Sequence, residues 1–175
     1  MLAASMHKDA NGRAAALALA VAAGLVLLAG SAVYLLDRPA GSAWLVPPAW
    51  QAATDGRWFG AIGPWLPSFA HAFAFSVFTA LVLPRRPGRA AAACVGWAAI
   101  DTLAEAGQHA AIAPALAAGL TSAFDGAPLA ARIGRYFTQG SFDITDVLAG
   151  LAGSGVAYAA LRRWWAPSET RFLFR

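Results

Sequence analysis

The stretch DTLAEAGQHA, residues 101 to 110, places Asp101, Glu105, Gln108 and His109 at the end of an otherwise apolar run. Two further segments join it: GSFDITDVLAGLAG carries Asp143 and Asp146 into another apolar run, and PSFAHAFAF sets His71 among phenylalanines. Three chemistries could use such groups. Paired carboxylates at restricted depth have their pKa values pushed apart by burial and mutual repulsion, as acid/base catalysis requires. Imidazole with carboxylate suits zinc or a similar ion, and Glu105 and His109 are one helical turn apart. Carboxylates and amides together also suit hydrogen bonding to a polar ligand.

The surrounding sequence sorts these readings. There is no HExxH and no cysteine pair, so no metal and no cofactor is expected. No nucleophile motif accompanies the carboxylates, because Ser68, Ser141 and Thr145 serve equally as caps or turn residues. Asp143 and Ser141 are themselves ordinary N-cap types, and a helix dipole favours carboxylates at its N-terminus. Catalysis stays open but is not the preferred reading. Ligand binding is preferred, with a polar network that pins helix packing as its plain counterpart.

The elements that must position these residues follow from composition. The 175-residue chain is 59% hydrophobic and only 13% charged, with a positive mean hydropathy, which is the profile of a membrane protein. Its formal charge of +4 would suggest nucleic acid in a soluble protein, but here the arginines sit at the ends of apolar runs. Nucleic acid is therefore excluded and membrane lipids are the expected partners. The single cysteine, Cys94, permits no internal disulfide and reads as a small apolar filler.

Four spans are expected, at about residues 14–36, 65–83, 90–108 and 142–161, each near the roughly 20 residues that cross a bilayer core. The first competes with a signal peptide, since AGSA resembles a cleavage site. An outer loop over 37–64 carries Trp44, Trp50 and Trp58, with Trp65 just beyond, spaced as interfacial anchors. A second outer loop, 109–141, is apolar enough in part to lie on the membrane as a helix or enter it partway.

With the N-terminus inside, the inner segments hold Lys8, Arg13, Arg85, Arg86, Arg89, Arg162, Arg163, Arg171 and Arg175, against Arg38, Arg57, Arg132 and Arg135 outside. That bias predicts an all-α, four-helix transmembrane bundle with both termini cytoplasmic. The topology brings His71, Glu105, Gln108, His109, Asp143 and Asp146 to one level near the outer face. At about 100° per residue, Asp101, Glu105 and Gln108 fall within about 60° of one another on the third helix. Asp143, Asp146, Gly150 and Gly153 share a face of the fourth, whose small residues permit close helix contact. A charge at the bilayer centre costs roughly 2.5–3.5 kcal/mol on insertion scales, so these groups should point into the bundle.

In this order the residues resemble the VanZ-like family of small bacterial membrane proteins: His71 early in the second helix, Glu105 and Gln108 in EAGQ ending the third, and Asp143 and Asp146 in FDITD opening a glycine-rich last helix. The resemblance covers roughly residues 65 to 160. It departs at Gly150, where the family usually has asparagine, and in a longer connection before the last helix. It implies a multi-pass protein of the bacterial cytoplasmic membrane acting at the cell envelope, since the founding member is associated with resistance to a lipoglycopeptide antibiotic.

The expected ligand site is thus His71, Glu105, Gln108, Asp143 and Asp146, supported by Asp101, His109 and Arg135, with Arg132 and Arg135 suited to a phosphate. The alternative is an accessory or structural subunit of a larger membrane protein complex, which the short chain, many small residues and tryptophans permit.

Overall fold

A computed structural model of the chain describes residues 2–39, 46–51, 58–84, 86 and 88–165. Trp44, Arg57, Arg85, Arg171 and Arg175, on which parts of the anchoring and orientation expectations rest, lie outside the described residues. Among the described residues the fold is all-α, with six helices: α1 (Leu2–Leu36), α2 (Leu66–Val82), α3 (Arg89–Gly107), α4 (Ala113–Ala123), α5 (Pro128–Gln139) and α6 (Ile144–Trp165).

Local signals explain most boundaries. Pro67 and Pro114 stand in the first turns of α2 and α4, and Pro128 opens α5, where a missing N–H leaves no helical bond unmade. Pro84 follows the end of α2, and Gly88 turns the chain into α3 at a φ of 80°, a left-handed conformation that glycine adopts without a Cβ clash. The connection over 109–141 is itself helical: α4 and α5 form a hairpin whose tight turn uses positive φ at Asp125 and Gly126. In the 37–64 connection, 3-10 turns form at Pro48–Trp50 and Gly60–Ile62.

Helix α2 is the hub, packed against α1, α3 and α6, while α3 and α6 also pack on each other and α1 barely reaches α6. Close approach is bought by small residues. Gly153 of α6 lies against the Phe69 backbone of α2, and a Cβ at Gly30 of α1 would stand 2.6 Å from Ala70. The core these contacts enclose is mostly alanine with a few larger fillers, Phe73, Val77 and Leu161, and includes the buried Cys94.

Two stretches, Gly12–Leu36 and Ile144–Trp164, are long and apolar enough to cross a membrane. α2 is apolar but has 17 residues, and α3 has 19 residues that include Arg89, Asp101 and Glu105. Large apolar side chains remain on the outside of these helices. Leu17, Val21, Leu25 and Leu28 form a stripe along α1 that is 53–67% exposed, and Val95, Ile100 and Leu103 of α3 and Leu148, Leu151 and Val156 of α6 are likewise exposed.

Candidate functional site

The alternating helix directions bring the end of α1, the start of α2, the end of α3 and the start of α6 to one end of the bundle, where the α4–α5 hairpin also sits. At the other end the Trp164 indole N–H donates to the Gly12 carbonyl at 3.3 Å, close to Arg162 and Arg163 of α6 and Arg13 of α1.

The α3 face bearing Asp101 and Glu105, continued by Gln108 just past its end, meets the segment that leads into α6. Glu105, only 9% exposed, accepts the Asp143 backbone N–H through Oε1 at 2.6 Å. A carboxylate on α3 thereby ties down the entry of α6. One turn deeper, the Asp101 carboxylate rests on Gly150 so closely that a Cβ there would overlap it. One turn further out, the Gln108 amide rests on Gly140 in the same manner and donates through Nε2 to the Tyr136 hydroxyl at 2.9 Å. Three successive side chains of one helix face are therefore each engaged by the 136–150 segment.

Asp146 completes the cluster. Its carboxylate is hydrogen-bonded by Ser68 of α2 and lies within electrostatic reach of Asp101, Glu105 and Asp143. Asp143 is exposed, and its Oδ1 accepts the Thr145 N–H at 2.8 Å, an N-terminal capping arrangement for α6. The expectation that this residue is partly a cap is met.

His71 is placed differently. Its ring stacks between Tyr34 at 6.3 Å and Phe75 at 5.8 Å, and Phe75 in turn meets Trp97 at 4.8 Å. The imidazole belongs to an aromatic column, and Tyr34 of that column lies within electrostatic reach of Asp101, Glu105 and Asp146.

The carboxylates line neither of the two hollows at this end. The hollow beside them, about 510 Å³, is bounded by Gln108, His109, Pro114, Phe137, Ser141 and Phe142, among others. His109 is exposed there, packed edge-on against Phe142 at 5.8 Å. A second groove of about 590 Å³ runs between α4 and α5 and includes Arg135, while Arg132 stands exposed outside both. Among the described residues no three His, Cys, Asp or Glu side chains converge as metal ligands would.

Tyr136 was not singled out by sequence reasoning. It sits where α5 folds back on the end of α3, and burial, with Tyr34 and Glu105 nearby, pushes its phenol up to about 12, so it keeps its proton at any physiological pH. The signal was present in PLAARIGRYFTQ, whose Leu129, Ile133, Tyr136 and Phe137 recur at helical spacing. Asp37 was also missed: its carboxylate accepts the backbone N–H groups of Trp58 and Phe59 at 2.7 and 3.0 Å, anchoring the long connection at the end of α1.

No protein-family model, curated protein or solved structure matches this chain.

Proposed function

We propose that this chain is a VanZ-like integral membrane protein of a bacterial cytoplasmic membrane, in which α1, α2, α3 and α6 cross the bilayer with both termini cytoplasmic. Its outward-facing polar cluster binds or handles a cell-envelope component, a lipid headgroup or an envelope precursor. The observation that carries this reading is the convergence at one end of the bundle of Ser68, Glu105, Gln108, Tyr136 and Asp146 from four different helices, with the exposed Arg86, Arg162 and Arg163 at the other.

The exposed apolar stripes support four crossings. A water-soluble monomer rarely leaves contiguous patches of that kind, whereas lipid solvates them. The acidic groups that lower the hydropathy of α3 face protein: Glu105 is buried and Asp101 lies on Gly150. Seventeen residues of α2 span about 25 Å at about 1.5 Å per residue, a shortfall a bilayer accommodates by thinning at modest cost.

Native purification followed by mass spectrometry tests the binding reading. A stoichiometric lipid or envelope precursor retained by the wild type supports it, and its absence refutes it. Orientation is tested separately by cysteine labelling in a Cys94→Ala background: Arg57→Cys should label from outside and Arg86→Cys from inside only.

One observation favours a second reading, an accessory subunit. Helix α1 packs extensively on α2 alone, so its exposed leucine and valine stripe is a face that a protein partner would cover as well as lipid does. Recovery only within a larger complex, with no small molecule bound, would select it.

A further inference from the structure

We infer that the hollow between the end of α3, the α4–α5 hairpin and the entry to α6 is a phosphate subsite, which recognises the phosphate ester of an amphiphile or of its water-soluble headgroup. The ten residues that line it include no carboxylate, although four acidic side chains lie nearby in the chain. The four neighbouring carboxylates have other partners: Glu105 is buried against the Asp143 N–H, Asp101 lies on Gly150, Asp146 is held by Ser68, and the exposed Asp143, next to Phe142, accepts the Thr145 N–H as the cap of α6. An anion can therefore enter this hollow without lying directly against a negative side chain.

Of the polar groups that line it, the Gln108 amide already donates to Tyr136 and the Thr138 hydroxyl to the Gly134 carbonyl, which leaves His109 and Ser141 as donors to a ligand. The Ala111 N–H donates to Nδ1 of His109 at 3.3 Å, which leaves the ring proton of the neutral imidazole on Nε2. His109 thus presents an N–H, and the exposed Ser141 hydroxyl adds a second donor. Thr138 lines both this hollow and the groove between α4 and α5, so the two adjoin, and Arg135, one turn before Thr138, lines the groove. A guanidinium offers phosphate two parallel N–H groups at fixed geometry, which an imidazole or hydroxyl alone does not. Phe137, Phe142 and Pro114 form apolar walls for the part of the ligand next to its phosphate.

This deepens the proposed function and rests on it only for the side from which the ligand arrives. The test is native mass spectrometry of the purified full chain with phosphatidylglycerol, with diacylglycerol of the same acyl chains, and with soluble glycerol phosphate. Wild type should retain phosphatidylglycerol over diacylglycerol, and Arg135→Gln combined with His109→Ala should reduce that retention by roughly tenfold or more, the loss expected when charge-assisted hydrogen bonds are removed. Arg132→Gln, an exposed arginine outside both hollows, should retain it like wild type. Competition by glycerol phosphate at similar concentration assigns the site to a soluble phosphate ester, and its failure to compete assigns it to a lipid.

Equal retention of the two lipids, no effect of the double variant, or an equal loss in Arg132→Gln each overturns the subsite. His109→Cys in the Cys94→Ala background separates the two proposals. Labelling from the cytoplasmic side alone would refute the outward-facing reading, whatever the binding result shows about phosphate.

Discussion

The carboxylate of Asp101 on α3 stands in the space that a side chain at Gly150 on α6 would fill. An acidic group in mid-helix is thereby matched to a missing Cβ on its neighbour, and the two helices approach closely there. Any larger residue at 150 must push the carboxylate aside. Gly150→Ala should therefore destabilise the bundle by about 1–3 kcal/mol, the usual range for overpacking. Asp101→Ala introduced together with it should restore part of that loss, so a thermal-unfolding double-mutant cycle in detergent should be non-additive. Additive effects would mean that the contact is not energetically coupled.

Glu105 acts on backbone rather than on another side chain. Its 2.6 Å bond to the Asp143 N–H needs an acceptor oxygen, not a charge. Glu105→Gln keeps that oxygen and should leave insertion and folding intact, whereas Glu105→Ala strands a donor at the start of α6 and should lower stability by about 1–3 kcal/mol. Expression level and melting temperature of the two variants check this. Equal damage by both would shift the weight to the charge.

Helix α6 offers one glycine at the α2 seam and one away from it. A Cβ at Gly153 would overlap the Phe69 carbonyl, which is backbone and cannot rotate away, while Gly155 has nothing within 4 Å of its would-be Cβ. Gly153→Ala should separate the helices and reduce the yield of folded protein. Gly155→Ala should be neutral, or slightly stabilising, because alanine is the better helix former. Size-exclusion profiles of the two variants decide the matter.

Tyr136 gives the hairpin a signature in alkaline solution. Its phenol is raised from the ordinary 10.0 to about 12, with burial the main cause. In the unfolded chain it would lose its proton near 10 while the folded protein still holds it. Unfolding thus releases a proton in that window, and stability falls as pH rises from about 10 to about 12, with no effect below. Ultraviolet absorbance should show late tyrosine titration, and Tyr136→Phe should diminish that late absorbance and flatten this part of the stability profile.

Several elements were legible before the structure. The segments expected at 65–83, 90–108 and 142–161 are helical, as Leu66–Val82, Arg89–Gly107 and Ile144–Trp165, although of these only the last is long and apolar enough to cross a membrane. Prolines, glycines and arginines bracket those runs, and such signals are local. The first span was read from its apolar core at 14–36, yet α1 begins at Leu2, because hydropathy marks what lipid would solvate and not where helical hydrogen bonding starts. The 109–141 connection was expected to hold some helix, but the pair α4 and α5 with its turn at Asp125 and Gly126 was not anticipated.

The sequence by itself determined that Asp101, Glu105 and Gln108 share one face, because a helix turns by about 100° per residue wherever it forms. It also determined that Gly150 and Gly153 lie on the face of α6 that permits close packing. Only the tertiary structure decided what those faces meet. That Glu105 holds the Asp143 N–H, that Asp101 fits over Gly150, and that His71 joins Tyr34 and Phe75 and leaves the carboxylates to Ser68 and one another depends on how far each helix slides and rotates against its neighbour. Those offsets are set by contacts such as Gly153 on Phe69 and Gly30 on Ala70, between residues far apart in the chain, and helical periodicity carries no record of them.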